Sequence, residues 1–358
     1  MREINIGVIG LGEMARHHIR QLLLVPGVRI AAVCDIHSKA VQEVGDQLGI
    51  PASKRYEAYE SLIGDTQIDG VLSVTPNDKH AMIIEACIHA GKPLFTEKPL
   101  TRTYEEAVRV LELYRRKKPI PCMVNFLWRN TPAFQYTKKM IQEGRIGRIN
   151  HFFVQYLQGW GSSGYHTPFI WRFDEKITGT GTLGDLGSHM IDLAQYMIED
   201  DITDIQAMLT TIVPERLDPE TGALKQVTVD DFACFNARFT QGAVGVFQTS
   251  RNAIGADNQH EISLYGEEGS LHVSPANNQV VWHRLKEGGE ETVTETIEVP
   301  AEEGLNPWQT FADLIRGDAA ANYATLEDGF TNQLHMEAIV RSARNRSMIE
   351  VASLESYK

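Results

Sequence analysis

Ile4-Asn5-Ile6-Gly7-Val8-Ile9-Gly10-Leu11-Gly12-Glu13-Met14-Ala15 decides the fold. A short apolar, β-branched run reads as a buried strand, and G-x-G-x-x-A follows it where residues 14–24 take up helical spacing. Each position has a physical task in such a junction. Gly10 permits a tight turn, Gly12 lets the backbone approach a pyrophosphate, and Ala15 allows the helix to pack closely on the strand. The helix start offers unpaired N–H groups and partial positive charge to an anion, so Leu11, Glu13 and Met14 complete a candidate phosphate cradle.

The same alternation continues outward. Residues 28–34, 70–75, 93–96 and 121–125 read as further strands, and 39–48, 79–90 and 103–117 carry apolar residues at helical spacing. At least five parallel strands are expected, in a doubly wound Rossmann sheet over residues 1–124. Beyond it the texture changes. A helix over 131–143 precedes long strands at 149–158, 205–213, 229–239 and 243–251, the last two joined through Thr240, Gln241 and Gly242 as a hairpin. Helical periodicity returns at 306–315 and 326–347. Residues 125–358 are therefore expected to form an α+β domain with a large, mainly antiparallel sheet flanked by helices, for substrate binding and oligomerisation; the whole chain is α/β + α+β.

Bulk properties narrow the partners. With 358 residues, 42% hydrophobic and 23% charged, the chain has the composition of a two-domain globular protein. Its net charge of -13 opposes binding to nucleic acid or to an anionic membrane surface. The first strand begins so early that no secretory leader is expected, and no apolar run reaches the roughly 18 residues of a membrane span. Cys34, Cys87, Cys122 and Cys234 form no CxxC pair and lie in apolar contexts, which suits reduced thiols in a cytoplasmic protein.

Several side chains carry possible chemistry. Asp35 ends the second strand, where an acid meets the adenosine ribose hydroxyls and repels a 2′-phosphate. That favours NAD, while His37 and Lys39 nearby leave NADP possible. Lys98 sits in Phe95-Thr96-Glu97-Lys98-Pro99-Leu100 at a strand's carboxyl end, where ligands bind in open α/β sheets. It is either a solvated surface charge or a group aimed at a ligand. Asp185, His189 and Asp192 follow a glycine-rich stretch at i, i+4 and i+7, so they share one helix face. A histidine between carboxylates suits a general base, and equally a hydrogen-bonded core residue. Trp160, Tyr165, His166, Trp171 and Arg172, with Asn125, Trp128 and Arg129, mix aromatic faces and donors as a sugar pocket would, or serve as ordinary structure.

Together Gly10 to Ala15, Glu97-Lys98-Pro99 and Asp185-x-x-x-His189 after glycines resemble the Gfo/Idh/MocA oxidoreductases, which include inositol and glucose dehydrogenases. The resemblance spans nearly the whole chain. It implies that Lys98, Asp185 and His189 converge on a substrate carbon facing a nicotinamide, and that Thr75, Pro76, Asn77 and His80 wall the cofactor together with Glu97 and Lys98. It also implies a homodimer or homotetramer. Gly179-Thr180-Gly181 stands where many relatives have three glycines. Hydride transfer between NAD(P) and a secondary alcohol of a sugar, cyclitol or related polyol is the expected activity, without a metal. The alternatives are a redox-assisted NAD-dependent glycoside hydrolase, a metal-dependent lyase or epimerase using Asp185, His189 and Asp192, and a non-catalytic dinucleotide sensor.

Overall fold

Residues 2–318 and 322–354 are described by the structure, a computed structural model, in which the chain divides into two compact units. In the first, β1 (Ile4–Ile9), α1 (Glu13–Leu22), β2 (Val28–Cys34), α2 (Ser38–Gln47), β3 (Arg55–Tyr56), α3 (Tyr59–Gly64), β4 (Gly70–Ser73), α4 (Asn77–Ala90), β5 (Leu94–Thr96), α5 (Tyr104–Arg116) and β6 (Cys122–Val124) follow one another. All six strands pair in parallel, in the order β3-β2-β1-β4-β5-β6. The order reverses beside β1, which creates the crevice at which open α/β sheets bind ligands. Ile4, Ile6 and Val8 of β1 are buried against Ala15, Ile19 and Leu22 of α1. Fully burying an aliphatic side chain contributes ~1.5–3 kcal/mol, so this face of α1 holds the glycine turn in place. The expected strand over 70–75 ends at Ser73, and β3 and α3 had no sequence expectation.

The second unit holds α6 (Pro132–Gln142), β7 (Ile149–Leu157), α7 (Glu175–Thr178), a π-helical turn at Leu183–Gly187, α8 (Ser188–Ile198), β8 (Ile202–Thr210), β9 (Glu215–Leu217), β10 (Leu224–Gln226), β11 (Phe232–Phe239), β12 (Val244–Ser250), β13 (Gln259–Gly266), β14 (Gly269–Ser274), β15 (Gln279–Leu285) and β16 (Thr292–Glu298). With β17 (Ile349–Glu350) they give a nine-stranded sheet, β16-β15-β14-β13-β7-β12-β11-β8-β17, while β9 and β10 pair separately. Neighbours run antiparallel except β7 and β12, which are parallel. The β11–β12 hairpin turns through Gly242 at φ +94, as expected from Thr240-Gln241-Gly242. Alternate residues Phe152, Val154, Phe235, Phe247 and Leu264 are buried, and α6 and α8 pack on the sheet. On the other parity Phe153, Met208, Val244 and Val246 are exposed. The strand expected over 205–213 runs instead from Ile202 to Thr210. It stops there because the Ile212 and Val213 N–H groups donate to the Asp231 carboxylate and leave the ladder.

The division departs from 1–124 and 125–358. The first unit takes residues 1–125 and 306–333, the second 126–305 and 334–358, with the later boundary inside α10 (Leu326–Asn345). Burial explains the difference. α9 (Pro307–Arg316) sends Phe311 and Ala312 into the β1 core, and a Cβ on Gly70 would collide with Ile315. The Val124 N–H donates to the Ala324 carbonyl, and Met123 bridges Thr325 at the sheet edge. Periodicity identifies 306–315 as an amphipathic helix but says nothing of which core receives it. Among the described residues, no helix is long and apolar enough to cross a membrane.

Candidate active site

Gly10 adopts φ +85, and a Cβ there would press on the Val74 carbonyl oxygen with the carbonyl carbon at 2.8 Å. Only glycine lets the first turn lie this close to the end of β4. Gly12, the N-cap of α1, has ordinary φ of -69, and a Cβ on it would meet nothing within 4 Å. It supplies no side-chain cap, and Gly12, Glu13 and Met14 are exposed while Leu11 and Ala15 are buried. An open backbone at an uncapped helix start fits a dinucleotide pyrophosphate. Asp35 accepts the Leu11 N–H at 2.8 Å and the His37 N–H at 2.9 Å, so its carboxylate also fastens the glycine turn to β2. Two acceptors' worth of lone pairs remain for ribose hydroxyls.

Thr75, Pro76 and Asn77 lie at the start of α4, with Pro76 as its N-cap. His80 is fully buried. Its Nδ1 lies 2.7 Å from the Pro99 carbonyl and its Nε2 2.9 Å from the Thr75 carbonyl, so it ties the Lys98-Pro99 loop to the β4–α4 loop. Burial pushes its pKa down, against the opposing pull of those two carbonyls. The Lys98–Pro99 peptide is cis.

Glu97, itself half-buried, is the centre of a network whose partners His18 and Asn125 are buried. Its Oε1 receives His18 Nε2 at 2.8 Å and the Asn125 amide at 2.7 Å, and its Oε2 faces the Lys98 N–H at 3.3 Å. Burial alone would raise the Glu97 carboxyl; the His18 and Asn125 donors and the Lys98 ammonium outweigh it and hold the pKa at about 2. Asn125, expected against substrate, therefore gives an amide hydrogen to Glu97. Trp308 donates its indole N–H to His18 Nδ1 at 3.0 Å. Sequence reasoning missed both His18 and Trp308. His18 did leave a signal, since it shares the buried stripe of α1 with Ala15, Ile19 and Leu22.

In the second unit, the stretch from Gly181 to Asp192 is held at three points. Asp230 accepts the Gly181 N–H at 2.6 Å and the Leu183 N–H at 2.8 Å, and burial pushes its carboxyl up despite those donors. Arg251, only 1% exposed, reaches Asp185 Oδ2 at 3.0 Å, the Gly181 carbonyl at 3.1 Å and the Arg172 carbonyl at 3.3 Å, with its guanidinium over the Trp160 ring. Arg129 takes both oxygens of Asp192, Nε to Oδ2 at 2.7 Å and Nη2 to Oδ1 at 2.5 Å. Arg129 and Asp192 are buried, so Arg129 braces α8 rather than offering its fork to solvent. The π turn carries Asp185 and α8 begins just after it, so the i, i+4, i+7 spacing of a continuous α-helix does not describe the trio. His189 is buried beside Phe126 and Tyr156, with ring centroids 6.2 Å away in each case. Trp171 is exposed with the Arg172 guanidinium 4.3 Å over its ring. Arg251 gave no sequence signal at all. Lys98 belongs to the first unit, and Asp185 and His189 to the second.

Comparison with known proteins agrees with both halves. Residues 4–126 match the oxidoreductase family with an NAD-binding Rossmann fold, and 134–272 match the GFO/IDH/MocA C-terminal domain. Levoglucosan dehydrogenase of Pseudarthrobacter phenanthrenivorans is 36% identical over 289 residues, covering 76% of this chain and 73% of that one. Myo-inositol 2-dehydrogenase of Thermotoga maritima is 27% identical over 268 residues, 75% of this chain and 74% of its own. A solved structure of levoglucosan dehydrogenase in complex with NADH and levoglucosan superposes with a TM-score of 0.88 at 30% identity, over 98% of this chain and 100% of that one.

Proposed function

The chain belongs to the GFO/IDH/MocA oxidoreductase family, and from that premise we propose that it reversibly oxidises a secondary alcohol of a sugar or cyclitol, with Lys98, Asp185 and His189 as its catalytic residues. The protein is an NAD-dependent oxidoreductase. The observation that carries the reading is the pair of braced stretches: Glu97-Lys98 anchored through His18 and Asn125, and Asp185 to Asp192 anchored through Asp230, Arg251 and Arg129. A catalytic group must be held in place by its surroundings, and buried charge-assisted bonds do this.

The chemistry follows from the side chains. His189 accepts the hydroxyl proton as general base, and Asp185, held by Arg251, orients the imidazole. Lys98 donates to the substrate oxygen and stabilises negative charge that grows on it as the C–H bond breaks. When bound, NAD supplies the acceptor for the hydride that leaves the carbinol carbon. The Gly10 to Ala15 turn holds its pyrophosphate, Asp35 meets its ribose, and Thr75 to Asn77 line it. Trp171 and Arg172 contact the polyol. A metal-dependent reaction fits less well, because guanidinium groups already neutralise Asp185 and Asp192.

That relatives of this chain include a levoglucosan dehydrogenase and a myo-inositol 2-dehydrogenase supports a sugar or cyclitol ring as the substrate. The exposed apolar residues Phe153, Met208, Val244 and Val246 on one face of the sheet, with Phe153 and Val246 paired across β7 and β12, support assembly as a homodimer or homotetramer through the sheet. Free cysteines at 34, 87, 122 and 234 suit a cytoplasmic location. The test is NADH absorbance with levoglucosan, myo-inositol and scyllo-inositol, run in parallel with NADP. Lys98→Ala and His189→Ala are expected to lower kcat at least about a hundredfold while NADH still binds. Wild-type turnover in both variants would refute the assignment.

A further inference from the structure

We propose that Trp308 is a positioning residue, which acts through His18 to hold the Glu97 carboxylate beside Lys98. Indole Nε1 is only ever a donor, so its 3.0 Å bond to His18 Nδ1 requires a lone pair on that nitrogen. The ring hydrogen is then on Nε2, which is where Glu97 Oε1 accepts at 2.8 Å. One bond from α9 thus fixes the tautomer, and the tautomer fixes the direction of the next bond. Phe95 edges the imidazole at 5.6 Å between centroids, Trp308 at 5.8 Å and His17 at 5.9 Å, so neighbouring rings crowd it.

The Asn125 amide converges on the same carboxylate oxygen at 2.7 Å, leaving Oε2 to the Lys98 N–H. Glu97 is therefore gripped on one oxygen by two donors and placed by the other against the residue that follows it. The chain Trp308, His18, Glu97, Lys98 lies wholly within the first unit. It gives segment 306–317 a purpose beyond covering the β1 core: a residue 290 positions away from His18 sets the geometry of the Glu97-Lys98 loop.

This inference rests on the catalytic assignment of Lys98, so the experiment separates the two. Trp308→Phe keeps the aromatic packing and removes only the donor. It is expected to lower kcat about tenfold, with NADH affinity, read by fluorescence, changed less than twofold. His18→Gln restores an N–H toward Glu97 without needing Trp308, and is expected to retain most of the activity. In the double variant Trp308→Phe then has no further effect, since its route is gone. Ring 15N shifts of His18 in the NADH-bound protein report the tautomer directly: a single Nε2–H form in wild type, a mixture in Trp308→Phe. Equal losses from Trp308→Phe in the wild-type and His18→Gln backgrounds, or an unchanged tautomer, would overturn the proposal. Full activity in Lys98→Ala would instead overturn the reading on which it stands.

Discussion

Alanine at Gly10 and alanine at Gly12 differ by two positions and should fail in opposite ways. At Gly10 the backbone has φ +85, which costs an L-residue ~1–2 kcal/mol. The new methyl would also press on the Val74 carbonyl, in a residue whose own N–H is tied to the Ile9 carbonyl of β1, and such overpacking adds ~1–3 kcal/mol. A sum of about 2–5 kcal/mol corresponds to a melting point lower by roughly 10 °C for a unit of this size. At Gly12, φ of -69 is open to any residue and the methyl meets nothing within 4 Å, so the melting point should stay within about 2 °C of wild type. That same methyl occupies the face a pyrophosphate would approach, and NADH should bind at least about tenfold more weakly. Thermal melts without ligand and NADH fluorescence titrations read the two quantities separately. If Gly12→Ala binds NADH like wild type, or Gly10→Ala melts like wild type, the account of this turn is wrong.

Asp35→Ser removes the charge that repels a 2′-phosphate, and the ratio of kcat/KM for NADP over NAD should rise about tenfold; an unchanged ratio would assign Asp35 to fastening the Leu11 and His37 N–H groups alone. Asp192→Asn leaves the buried Arg129 guanidinium without its counter-charge and should cost ~3–5 kcal/mol in urea unfolding, so an unmoved midpoint would contradict the pairing. His260 lies stacked on Tyr156 at 4.6 Å, with burial holding its pKa at about 3 against 6.5 in the open chain. The unfolded chain therefore binds a proton that the folded chain refuses between these values, and stability falls as pH drops from 6.5 toward 3. His260→Phe fills the same aromatic cage, and its melting point should fall less than that of wild type between pH 8 and pH 5; equal falls would show that His260 is not the source.

The Rossmann half was legible because its strands are buried on both faces and so read as unbroken apolar runs, each followed by a helix. β3 escaped notice at two residues, too short to carry a period. The second half was legible as long alternating strands, but alternation does not reveal direction, and the parallel β7–β12 pair could not be read from it. Site residues divide by the distance over which they act. Gly10, Gly12 and Lys98 stand in short local motifs that can be recognised in the sequence, although what holds them lies farther away. Arg251 meets Asp185 across 66 positions and Trp308 meets His18 across 290, distances over which a single sequence holds no period. Asn125 and Arg129 carry donors suited to a sugar, and folding gives those donors to Glu97 and Asp192 instead.

That last exchange has a general cause. The stretch from Gly181 to Asp192 packs glycines and a π turn beside a buried histidine, so local propensity alone would not hold it in one conformation. Order is imposed from outside, by Asp230 at one end, Arg251 in the middle and Arg129 at the other. Each brings a charge into the protein interior, where replacement by well-fitted apolar residues is often neutral or stabilising. Arg251→Met with Asp185→Leu should accordingly keep or raise the melting point while abolishing turnover, whereas Arg251→Met alone should lose both. A double variant that melts far below the single one would mean that these charges serve the fold first, and that the catalytic role given to Asp185 is incidental.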